Sequence, residues 1–138
     1  MTAPAALTAL RRLDITSLPV ALRLDAVVTG VNGAAYLVAA GPLGELLGLD
    51  ATPLRVAGAG LLAFAAVVWL VASAQRMSRP APATIVVVNG AWALACIVAA
   101  LAGVGTPTTL GTAWIIAQAL VVAGFAELQL TGLRRAER

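Results

Sequence analysis

Histidine and lysine are absent from this 138-residue chain, cysteine occurs once, and charged residues make up only 11% of it. Each shortage excludes something. Without histidine there is no imidazole metal site, no histidine-ligated haem and no histidine general base. The lone Cys96 excludes an intramolecular disulfide and the cysteine pair that thiol–disulfide enzymes use. No paired acidic motif and no phosphate-cradling glycine loop takes their place. The expectation is therefore a non-enzymatic protein with no catalytic residue, no metal and no cofactor. All nine basic residues are arginine, which with the abundant alanine, glycine and valine reads as a GC-rich bacterial genome. The net charge of +3 is no sign of nucleic-acid binding, because the arginines sit at the ends of apolar blocks.

A soluble domain carries roughly a quarter of its residues as charges. This chain is 61% hydrophobic, with a mean hydropathy of +0.97, and from Ala81 to Leu133 its single charge is Glu127. Such stretches are membrane spans. Four blocks have the roughly 20 residues needed to cross about 30 Å of hydrocarbon as helix. They run from about Leu22 to Ala40, Leu54 to Ala74, Ala83 to Val104 and Leu110 to Leu133. None shows the period-two alternation of a barrel strand. The expected fold is all-α, an integral membrane four-helix bundle filling residues 21–133, with a basic tail over 134–138.

Eight arginines (11, 12, 23, 76, 79, 134, 135 and 138) fall before or at the start of the first block, between the second and third, and after the fourth. The other two connections hold only Arg55. The positive-inside rule then puts both termini in the cytoplasm and the protein in a bacterial inner membrane. Trp69 and Trp114, near opposite ends of their spans, fit interfacial anchors. Residues 1–20 read as a short interfacial helix closed by Pro19, or as a disordered tail, but not as a cleavable signal. The segment GPLGELLGLDATP after the first block reads as an amphipathic turn at the outer interface, serving as a plain connection or as a lid.

Aligning residues 26–40 with 83–97 matches Ala26/Ala83, Val31/Val88, Asn32/Asn89, Gly33/Gly90, Ala34/Ala91 and Leu37/Leu94. Two copies of a helical hairpin explain this. An even number of spans per copy makes it a parallel repeat, with its pseudo-twofold axis along the membrane normal. An asparagine facing lipid would leave its amide unpaired at a cost of several kcal/mol, so Asn32 and Asn89 should face the interior as interhelical glue. The following glycines would let a neighbouring backbone approach.

Asp25, Thr29, Asn32 and Tyr36 recur at steps of four, three and four, forming one polar stripe on the first span. The stripe can pack in the interior, line a hydrated path or hold a ligand head group. On the fourth span Gln118, Phe125 and Gln129 share a face, and Glu127 lies roughly opposite Gln118. An ionisable residue inside a span is a functional candidate; its alternative here is an ion pair with Arg76, Arg134 or Arg135. Gly58 and Gly60 among alanines form a small-residue packing surface, and Cys96 is a small core filler.

RLDAVVTGVNGAAYL entering the first span, GPLGELLG after it and the glycine-rich second span resemble the four-span bacterial membrane proteins loosely grouped as DoxX-like. The resemblance covers most of the chain and implies the same four-span architecture, with no catalytic residue to carry over. The expected role is an accessory or scaffold protein binding lipid or partner helices, as a homo-oligomer or with a membrane-protein partner. The alternative is a small oligomeric transporter or channel subunit, with Glu127 or Asp25 as its membrane carboxylate.

Overall fold

The structure, a computed structural model, describes residues 3–12 and 17–136. It is all helical over the described residues, with α1 Ala3–Arg12, α2 Leu18–Val38, α3 Ala40–Leu47, α4 Ala51–Ser73, α5 Pro80–Ala102 and α6 Thr109–Ala136. Helices α4, α5 and α6 are each long and apolar enough to cross a membrane, and α2 with α3 supplies a fourth span if the bent pair is taken together. The chain is a small multi-span membrane protein.

Local chemistry sets these boundaries. Pro19 does not close an N-terminal helix as expected; it lies in the first turn of α2, where its missing N–H is no loss. Residues 13–16 of the expected interfacial segment lie outside the described residues. Pro42 lacks the N–H that would bond the Val38 carbonyl, and its ring crowds that carbonyl. Accordingly α2 stops at Val38, and the Leu43 N–H donates to Ala39 O (2.9 Å) as α3 starts on a new axis bent by 96°. The outer connection is thus an eight-residue helix rather than a single turn.

At its far end α3 leaves terminal carbonyls without helical partners. Thr108, 62 and 61 residues onward, supplies two of them: its hydroxyl donates to Leu46 O (3.0 Å) and its N–H to Leu47 O (3.0 Å). The same hydroxyl accepts the Gly111 N–H (3.1 Å), capping the start of α6. One residue therefore joins α3 to α6. Gly48, at φ +70°, sits so close that an added Cβ would come within 2.6 Å of the Thr108 nitrogen.

Two apolar clusters hold the bundle. Leu18, Leu22, Ala26, Val68, Ala72, Ile85 and Leu133 bring together the start of α2, the end of α4, the start of α5 and the end of α6. Arg23, Arg76, Arg79, Arg134 and Arg135 flank these same helix ends, so this is the arginine-rich end. Tyr36, Ala40 and Leu54 anchor a second cluster at the α3 end. Between them α2 is the central helix, packed against α4 on one side and α6 on the other, while α5 pairs with α6 and barely meets α4.

The α2–α4 contact is a glycine crossing. A Cβ on Gly33 would lie 2.8 Å from Gly58 O, and one on Gly58 would lie 2.7 Å from Gly33 O. Gly33 thus fulfils the expected close approach. Gly90, its partner in the repeat, has nothing within 4 Å of such a Cβ and faces outward. Gly60 likewise faces open space, leaving Gly58 as the packing member of that pair.

Candidate ligand groove and its polar floor

Because α4 packs along α2 and comes together with α5 and α6 only at the arginine-rich end, a gap remains between α4 and the α5–α6 pair. It is a half-open groove of about 1020 Å³. The floor is α2, from Val27 to Tyr36; the walls are α4 and α6, with Val88, Asn89 and Trp92 from α5. Leu43, Leu46 and Leu47 of α3 close one end. The first cluster, which includes Ala72 of α4 and Ile85 of α5, closes the other. The lining is apolar except for a few amide, hydroxyl and indole groups, and it contains no charged residue.

Below the arginine-rich end of the groove lies a closed polar network. Asp25 and Gln129 are fully buried and Asn89 nearly so. Asp25 Oδ1 accepts from Thr29 Oγ1 (2.9 Å), and Oδ2 accepts from both Asn89 Nδ2 (2.7 Å) and Gln129 Nε2 (2.7 Å). Asn89 Nδ2 also donates to Gln129 Oε1 (3.0 Å). The carboxyl group thus acts only as an acceptor, toward donors from α2, α5 and α6. No salt bridge to it is formed among the described residues, so hydrogen bonds alone compensate its burial. Thr29 and Asn89 reach the groove wall, which places the network directly beneath the cavity.

A second polar centre lies near the α3 end. Tyr36 is 6% exposed, and its Oη accepts from Trp114 Nε1 (2.8 Å) and from Gln118 Nε2. Gln118 Nε2 also faces Asn32 Oδ1 at 3.5 Å. Eleven residues of helix separate Asp25 from Tyr36, or about 16 Å along α2. The stripe on α2 therefore joins two separate centres, one sealed and one open to the groove.

The sequence candidates divide accordingly. Asp25, Thr29 and Asn89 meet in the sealed network; Asn32, Tyr36 and Gln118 meet in the open centre. Asn32 and Asn89 both turn inward, yet they take side-chain partners instead of backbone, and they belong to different centres. Glu127 joins neither. It is exposed on the far side of α6, beside a shallow depression shared with Gly90 and Arg134, and away from both polar centres. Cys96 is half-buried and free. Sequence reasoning missed Gln129 and Trp114 as partners. The eleven-residue step from Gln118 to Gln129, three helical turns, was the signal for the first. For Trp114, reading it as an interfacial anchor left its indole N–H unassigned.

Compared with protein-family models, curated proteins and solved structures, the chain matches none. The likeness to the DoxX-like group consequently rests on the quoted segments alone and assigns no role to any residue in either centre.

Proposed function

We propose that this protein is a non-enzymatic lipid-binding protein of a bacterial inner membrane, in which the groove between α4 and α5–α6 holds a membrane lipid and presents it to a partner protein. The observation that carries the reading is the groove itself. It is half open and runs along the length of the spans, its walls are apolar, and its volume lies just above the usual range for ligand sites, about 300–1,000 Å³. An apolar cavity of this kind is not held open by water, and the hydrocarbon beside it supplies the natural filling. In this reading the arginine-rich end faces the cytoplasm, and of the repeated Val-Asn-Gly-Ala the two asparagines are the residues turned inward on both α2 and α5.

Gly60 provides the test. It lines the groove, and a side chain added there meets nothing within 4 Å. Gly60→Phe should fill the groove without disturbing a helix contact. Purified wild-type protein should carry lipid through detergent exchange, read by native mass spectrometry, and Gly60→Phe should lose it with unchanged helix content. Equal retention by both would refute the reading.

A second reading, a transporter using a membrane carboxylate, is favoured by one observation: Asp25 is a fully buried carboxyl group directly under the groove, held by hydrogen bonds. Under that reading, proteoliposomes of the wild type should dissipate an imposed pH gradient and those of Asp25→Asn should not. A gradient held equally by both would dispose of it.

A further inference from the structure

We infer that Tyr36, Asn32 and Gln118 recognise the ester carbonyl of an acyl lipid, whose chain lies along the groove floor toward Val28. The inference rests on the groove being a lipid site and names the part of the lipid that is read.

The first argument is an account of hydrogen-bonding capacity. Tyr36 Oη receives two N–H donors, from Trp114 and Gln118, which occupy its lone pairs. Its own hydrogen has no acceptor among the described residues. The Asn32 amide nitrogen likewise donates to no described residue, its carbonyl oxygen being turned toward Gln118. Both residues line the groove. Two donors therefore stand open beside one another, on a tyrosine more than nine-tenths buried. An oxygen acceptor completes them; a second donor group does not.

The second argument is charge. With no arginine or other charged side chain on the groove lining, a phosphate or carboxylate drawn to this centre would lose its hydration without gaining a counter-ion. The occupant's oxygen at this point is uncharged. An ester carbonyl meets that condition, while the phosphate of the same lipid can stay outside.

The third argument is depth. Helix α2 has 21 residues, about 31 Å of rise, close to the ~30 Å hydrocarbon thickness. Tyr36 lies in its last turn, and Trp114 lies in the second turn of α6 at the same end. Tyrosine and tryptophan gather where the hydrocarbon meets the head-group region, and the glycerol esters of acyl lipids occupy that level. From Tyr36 back to Val28 the floor runs about 12 Å, with Val28, Val31 and Ala35 offering apolar surface for the chain. Carbonyl and chain thus fit the same groove in one orientation.

The experiment reconstitutes the protein in nanodiscs containing equal amounts of a dioleoyl ester phosphatidylglycerol and its diether counterpart, which has matching chains and head group but no carbonyl. Lipid retained on release is read by native mass spectrometry. The wild type should retain the ester form by about three- to tenfold over the ether form, the range of one net hydrogen bond. Tyr36→Phe should remove the preference while keeping total lipid. Since that change also deprives Trp114 and Gln118 of an acceptor, Asn32→Ala serves as the second variant and should reduce the preference with the thermal midpoint near that of wild type. Equal retention of both lipids by the wild type, with loss of both in Gly60→Phe, overturns the carbonyl reading and leaves the lipid groove standing. An ester preference that survives both polar variants overturns it as well. Retention of neither lipid, with Gly60→Phe unchanged from wild type, overturns the groove and the carbonyl reading together.

Discussion

Asn89 Nδ2 lies 2.7 Å from Asp25 Oδ2, a contact that crosses 64 residues of sequence and joins α5 to α2 inside the bundle. The same nitrogen reaches Gln129 Oε1, so one amide ties three helices. Asn32, its counterpart in the repeated motif, has only the 3.5 Å contact with Gln118. Equal residues in the sequence therefore have unequal structural weight.

Substituting them should reveal the difference. Asn89→Leu removes both contacts and leaves Gln129 Oε1 and one acceptor site of Asp25 unfilled, a loss of roughly 1–2 kcal/mol. Asn32→Leu should cost a few tenths, near the lower end for interhelical hydrogen bonds in membranes. Unfolding of the two variants in the same detergent, followed by circular dichroism, measures the gap. A larger cost for Asn32 would contradict the assignment of the sealed network.

Asp25→Leu should be harsher than either. It leaves donors on Thr29, Asn89 and Gln129 without their acceptor, and each buried orphan costs about 1–3 kcal/mol. Thr29→Val, which removes a single donor, should cost about 0.6 kcal/mol. Thermal midpoints should therefore fall in the order wild type, Thr29→Val, Asp25→Leu.

At the glycine crossing, Gly58→Ala places a methyl group 2.7 Å from Gly33 O and 2.9 Å from Tyr36 Cβ, and backbone must move to admit it. Overpacking of this sort costs about 1–3 kcal/mol. Gly60→Ala, two residues on, should be neutral or slightly stabilising, since alanine is the better helix former. A pair of melting curves decides it. Similar midpoints for the two variants would mean that α2 and α4 do not cross at Gly58.

Glu127→Gln should change neither stability nor lipid retention, because the side chain is exposed and lies away from both polar centres. Loss of either property would return Glu127 to the candidates.

The spans were legible because mean hydropathy over twenty residues hardly depends on tertiary contacts. The stripe on α2 was legible for a related reason: period 3.6 puts Asp25, Thr29, Asn32 and Tyr36 on one face whatever the partners are. Which neighbours they meet depends on how α5 and α6 are rotated about their axes, and Glu127 shows the consequence. It has the residue type of a functional carboxylate, but its position on α6 points it away from the groove. Gly41-Pro42 announced a stop to the first span; the 96° turn of the chain into α3, and the roof it makes over the groove, depend on Thr108 far downstream. The groove had no sequence signature at all, since it is the space left where α4 packs along α2 and not along α6.

The sealed network also bears on the order in which the protein is made. Helix α2, which carries Asp25, precedes in the chain the amides that donate to its carboxyl group, which follow 64 and 104 residues later. On its own α2 does not qualify as a membrane-crossing helix, whereas α4, α5 and α6 each do. The acceptor of the network is therefore in place in the chain well before any of its interhelical donors. A chain that ends before Gln129 would lack one of the two amides that satisfy Asp25 Oδ2, so the burial of that carboxyl group is fully compensated only with the last helix present.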